Sequence, residues 1–210
     1  MAKKKEQVKE KPLSAELRIK EAARKVFTQK GYAAARTRDI AEEAGMNLAL
    51  LNYYYRSKEK LFELVMLESI KEFFLGLTGI LNNPDTGLGE KLELLADSYI
   101  SMLIREPNFP LFMLSELQAN PDKLIELTGT KDFMNKSVFF QQMAAHLKKN
   151  KMNFSPMHVV MNMIGLTVFP FIGKPMIKLM SGMKDKEFLQ LMEERRKLIP
   201  VWMKTMFKIN

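Results

Sequence analysis

The chain has 210 residues, 47 % hydrophobic and 27 % charged, enough to bury a core in one large domain or two small ones. It has no cysteine, which excludes disulfides and thiolate metal sites. The formal net charge is +9, and residues 1–60 hold 15 Lys and Arg against 8 Asp and Glu. Most of the excess therefore lies in the first third, the pattern of a polyanion-binding module joined to a near-neutral one.

The opening MAKKKEQVKEKPL is charged and has no apolar stretch, so no secretory signal is read there. Residues 1–12 are expected to form a disordered basic tail. Beyond it, Leu, Met, Ala, Glu and Lys dominate and no run alternates with period two, which predicts an all-α fold. Helix 1 is expected from an N-cap at Ser14, with Glu16 in its first turn and Leu17, Ala23, Val26 and Phe27 as its apolar face. Gly31 is placed to end it. Thr37 offers the next cap, followed by Asp39 and an apolar stripe of Ile40, Ala41 and Ala44 that stops at Gly45. Asn47 is expected to cap a third helix with Leu50, Leu51 and Tyr54 turned inward. Ser57 would cap a fourth, carried by Leu61, Phe62, Leu64 and Val65 onward to Phe73 and Phe74.

Two short helices joined by a Gly-containing turn define a helix-turn-helix, here residues 37–56. Gly45 falls where that turn needs a positive φ, which glycine adopts at little cost. We place a three-helix DNA-binding domain at 1–60 and a second, helical domain at 61–210.

The second part is rich in Met and Phe. Core packing accounts for most of them, but Met also fills adaptable pockets. A mostly apolar ligand is expected against Phe112, Met113, Gln118, Phe140, Met143, Asn162 and Met163. Gln118, Gln141, Gln142, Asn162 or Thr167 would serve as polar anchors. Two late helices, about 156–171 and 185–209, are apolar on nearly every side and must be buried on several faces. Pro170, Pro175 and Pro200 predict kinks or breaks in this region. The longest apolar run, Val159 to Gly173, is interrupted by Asn162 and Pro170 and falls short of a membrane span. His146 and His158 sit in no metal-ligand spacing, and no phosphate-binding loop, nucleophile elbow or dinucleotide fingerprint occurs. No enzymatic activity, metal or cofactor is expected.

The segment TRDIAEEAGMNLALLNYYYRSKEKLF resembles the DNA-binding signature of the tetracycline-repressor (TetR) family, over roughly residues 12–66. The resemblance implies a bacterial, cytoplasmic homodimer that binds a near-palindromic double-stranded operator and is released by a small effector. It implies phosphate contacts from Thr37, Tyr54 and Lys58 and a base-edge contact from Arg38. Asn47 joins this DNA-binding set, and Leu48, Ala49, Asn52 and Tyr53 fall on the groove-facing side of the third helix. Leu48 stands where the family often has lysine, and Asn52 where it often has tyrosine. An Asn amide can pair with adenine N6 and N7, and Leu48 and Ala49 can touch thymine methyls. The two late helices are expected to form the dimer interface, with Met161, Phe169, Phe188, Leu191 and Trp202 in it. Two alternatives stay open. One is a DNA-binding dimer without a ligand switch; the other is a basic protein at an anionic membrane surface.

Overall fold

The computed structural model describes residues 14–128 and 136–209, apart from the side chains of Lys123 and Leu127. The tail expected at 1–12 lies outside the described residues. The described secondary structure is helical throughout. In chain order the helices are α1 (Ala15–Ala34), α2 (Thr37–Glu43), α3 (Leu48–Tyr54), α4 (Lys58–Asn82), α5 (Leu88–Arg105) and α6 (Phe109–Ala119). They continue as α7 (Pro121–Thr128), α8 (Val138–Lys149), α9 (Met157–Ile172), α10 (Lys174–Ser181) and α11 (Asp185–Phe207).

Two units divide after Val65, so that α4 contributes residues to both. The boundary expected after residue 60 moves because Leu61 and Val65 are buried with α1, α2 and α3 in the first core. That core gathers Ile19, Ala23, Val26 and Phe27 from α1, Ile40 and Ala41 from α2, and Leu51 from α3. Helix 1 starts as its sequence dictates, with the Ser14 hydroxyl accepting the Leu17 N–H at 3.2 Å. Gly31, at φ +73°, kinks it near its end.

In the second unit α5 is the central element, and it packs most extensively against α11. Its spacing Leu92, Leu95, Ala96, Ile100, Leu103 is that of a helix with one buried face. Phe139, Met143 and Leu147 of α8, Val159 and Met163 of α9, and Phe188, Met192, Ile199 and Met203 of α11 complete the core. One buried residue is unexpected. Lys91 is wholly buried, and its ammonium donates to the Thr86 carbonyl at 2.7 Å, the Thr86 hydroxyl at 2.6 Å and the Asn83 carbonyl. Three donors meet three acceptors, which closes the loop before α5. Burial holds the pKa of Lys91 below the usual lysine range.

Of the three prolines, Pro175 stands at a break as expected, in the first turn of α10, and the other two lie inside continuous helices. Helix α9 continues through Pro170 and α11 through Pro200. The break falls at Gly173, where α9 and α10 bend by 65°. Among the described residues no single helix is long and apolar enough to cross a membrane; that bent pair alone passes on length and composition.

Candidate nucleic-acid interface

Helix α2 begins one residue earlier than Thr37 would have capped it. Arg36 is the N-cap, and the Asp39 carboxylate accepts its backbone N–H at 3.1 Å. Thr37 is thus the first helical residue rather than the cap. Asp39 also faces the Lys30 ammonium at 3.0 Å. The Lys30 hydrogen bond, then the Arg36 backbone bond, hold the carboxyl below the usual aspartate range.

The end of α2 is a complete Schellman motif. The Met46 N–H bonds the Ala41 carbonyl at 2.9 Å, and the Gly45 N–H bonds the Glu42 carbonyl at 3.0 Å. Gly45 takes φ +64°, as the turn requires. Arg18 of α1 adds a brace that local sequence does not show. Its Nη2 donates to the Ala44 carbonyl at 2.6 Å. A Cβ on Gly45 would lie 3.1 Å from that nitrogen, so the guanidinium would have to give by a few tenths of an ångström, and the positive φ is what favours glycine here.

Helix α3 then starts at Asn47, whose Oδ1 accepts the Leu50 N–H at 2.8 Å. Asn47 is therefore a cap first. Leu51 is only 1 % exposed and anchors the helix, with half-buried Leu48 and Tyr55 beside it in the core. Full burial of such a leucine is worth roughly 1.5–3 kcal/mol. Leu50 and Tyr54, expected inward, are exposed. The helix spans seven residues, and its inward stripe has room for positions 48, 51 and 55 alone. Ala49, Asn52 and Tyr53 are exposed, Tyr53 at 79 %. Tyr53 and Tyr54 meet edge to face at 5.4 Å. Arg36, Arg38 and Arg56 are exposed too. Helix α4 is capped by Ser57, which accepts the Lys60 N–H at 3.2 Å.

Lys58, expected at a phosphate, has partners within the protein that local sequence does not show. Its ammonium donates to the Tyr32 carbonyl at 3.0 Å and the Ala35 carbonyl at 3.1 Å, and it lies 4.3 Å from the centre of the Tyr32 ring. The Tyr32 hydroxyl donates to Glu59 at 3.0 Å. Lys58 thus ties the start of α4 to the carbonyl-rich end of α1, where the helix dipole favours a cation. As placed it braces the start of α4 against the end of α1.

This arrangement matches known regulators. Residues 19–65 match the family model for bacterial regulatory proteins of the tetR family. The first unit thus carries a DNA-binding domain of the TetR type. That match favours sequence-specific DNA binding over the membrane-surface alternative, since Tyr53 and Tyr54 stand on α3 of a helix-turn-helix. The chain is similar to the probable HTH-type transcriptional regulator YttP of Bacillus subtilis (strain 168), at 23 % identity over 199 residues, covering 91 % of this chain and 93 % of YttP. In fold it resembles a TetR/AcrR-family regulator from Thermobifida fusca, with TM-score 0.60 and 16 % identity over 88 % of this chain and 96 % of that one. FadR of Bacillus subtilis, solved in complex with stearoyl-CoA, is similar at TM-score 0.52 and 17 % identity over 87 % and 96 % of the two chains.

In the second unit a cavity of about 140 Å³ lies among α4, α5, α8 and α9, lined by Leu77, Leu81, Leu92, Phe139, Val159 and Met163, with Tyr99 and others. Of the residues expected at a pocket, Met163 lines it. Met143 is wholly buried in the core, Phe112, Met113 and Phe140 are half-buried elsewhere, and Gln118 is exposed. The Asn162 amide lies 3.9 Å from the Met206 sulfur instead. Among the residues expected at a dimer interface, Met161 and Phe169 are exposed. Leu191 is half-buried, as is Trp202, whose ring carries the Arg195 guanidinium at 5.2 Å. Phe188 is 1 % exposed within its own core, which removes it from any surface.

Proposed function

We propose that this protein is a cytoplasmic homodimeric repressor of the TetR family that reads a near-palindromic operator and is released by a small, mostly apolar ligand. The observation that carries the reading of DNA is the split of α3 into one anchored and one bare face. Leu51 fixes the helix, and Ala49, Asn52 and Tyr53 are left for base edges in the major groove. Thr37, Arg38 and Tyr54 remain the candidates for contacts around them, and Asn47 supports the helix by capping it.

Exposed apolar residues on the late helices support dimerisation: Met161, Ile164 and Phe169 on α9, and Leu189, Leu198 and Val201 on α11. The apolar cavity supports an effector. For release, the ligand must bind the DNA-free state more tightly, so operator DNA must weaken ligand binding by the same factor. One observation favours the alternative of a dimer without a switch. The cavity is smaller than the roughly 300–1,000 Å³ of ordinary ligand sites, so a larger effector needs it to widen.

Selection of bound duplexes from a random library tests the reading. A symmetric site with half-sites about 34–36 Å apart is the expected result, and no enrichment would overturn it. On the selected duplex, Asn52→Ala should lose about 1–3 kcal/mol of binding while leaving random-sequence DNA unaffected. Equal loss on both duplexes would remove Asn52 as a base reader.

A further inference from the structure

The cavity has one chemical handle. Among the described residues that line it, Tyr99 alone has a polar side chain; the others are Leu, Ile, Val, Phe and Met. Tyr99 projects from α5, and its ring is held edge to face against Phe73 at 4.9 Å. Its hydroxyl has no hydrogen-bond partner among the described residues, and desolvation pushes its pKa up to about 12. At neutral pH it is therefore an uncharged donor. A water molecule there would find a single polar side chain, short of the two to four partners that hold buried water in place.

We propose that Tyr99 is the hydrogen-bonding anchor of this cavity, and that its ligand is an uncharged, mostly apolar molecule carrying one acceptor oxygen. This rests on the cavity being the effector site. Among the described residues no Lys, Arg, His, Asp or Glu lines it, so a carboxylate or phosphate inside would lose its hydration without gaining a counter-charge from them. Its volume is close to that of the roughly 150 Å³ apolar cavity known to take benzene, which suits a ligand built on a single six-membered ring.

Calorimetric titration of the full chain and of Tyr99→Phe with acetophenone, ethylbenzene and benzoate at pH 7 tests this. The three probes share a ring and differ in the acceptor and the charge. The wild type should bind acetophenone about tenfold more tightly than ethylbenzene, the worth of one hydrogen bond. Tyr99→Phe should bind the two alike, and benzoate should bind to neither protein. The wild-type preference is informative even if the variant folds poorly, and helix content by circular dichroism reports on that. Equal wild-type binding of the two neutral probes, a preference that survives in Tyr99→Phe, or tightest binding of benzoate would overturn the anchor while leaving the effector site standing. No binding of either neutral probe to the wild type would overturn both.

Discussion

Lys58 shows how one side chain's partners redefine its task. A lysine after a run of aromatics and an arginine reads as a phosphate contact. Yet its ammonium already serves two carbonyls and an aromatic face. Lys58→Met should therefore lower stability by about 1–3 kcal/mol, the scale of hydrogen bonds to a charged group. The slope of DNA affinity against salt should stay unchanged, because no phosphate contact is lost. Urea unfolding and binding at several salt concentrations separate the two; a flatter slope at unchanged stability would restore the phosphate role. The difference lay beyond local reading, since the carbonyl partners stand 26 and 23 residues away in the chain. Ser14, Asn47 and Ser57 were legible for the opposite reason, each capping an N–H three residues ahead. Tyr99 and Lys91 were not. Each stands on an amphipathic helix, where a tyrosine looks like core and a lysine looks like solvent-facing surface until the fold surrounds it.

At the level of elements, helix periodicity gave the positions of the late helices but not their rotation. When nearly every side is apolar, spacing cannot tell the inner face from the outer. Phe188 is consequently in the core while its neighbour Leu189 is exposed. Helix α2 was displaced by one residue at its start because the cap is the backbone of Arg36, held by Asp39, and no cap-forming side chain marks that position. Asp39 gives the element an acid sensitivity whose sign is fixed. Its folded pKa lies below the unfolded value of about 3.9, so its contribution is present above that pH and is lost as pH falls through the folded pKa. Asp39→Asn should flatten the acid limb of unfolding followed by circular dichroism. An unchanged acid limb would mean that the pair with Lys30 contributes nothing in solution.

For the molecule as a whole, the proposed repressor works as two copies acting together. Val201, 57 % exposed on α11, is the position where a charge tests the dimer with least harm to the protomer core. Val201→Glu should convert a dimer to a monomer in sedimentation at micromolar concentration, with helix content preserved. Binding to a symmetric duplex should then fall towards that of a single half-site. A dimer that persists would place the interface away from this face of α11.

The brace between Arg18 and the Ala44 carbonyl bears on any attempt to move this reading head to another scaffold. A transplant cut at residue 37 would carry both short helices and the glycine between them, yet would leave the Ala44 oxygen without its donor from α1. The angle between α2 and α3 is thus partly encoded 26 residues upstream of the turn. The smallest portable unit begins at Ser14, not at the helix-turn-helix.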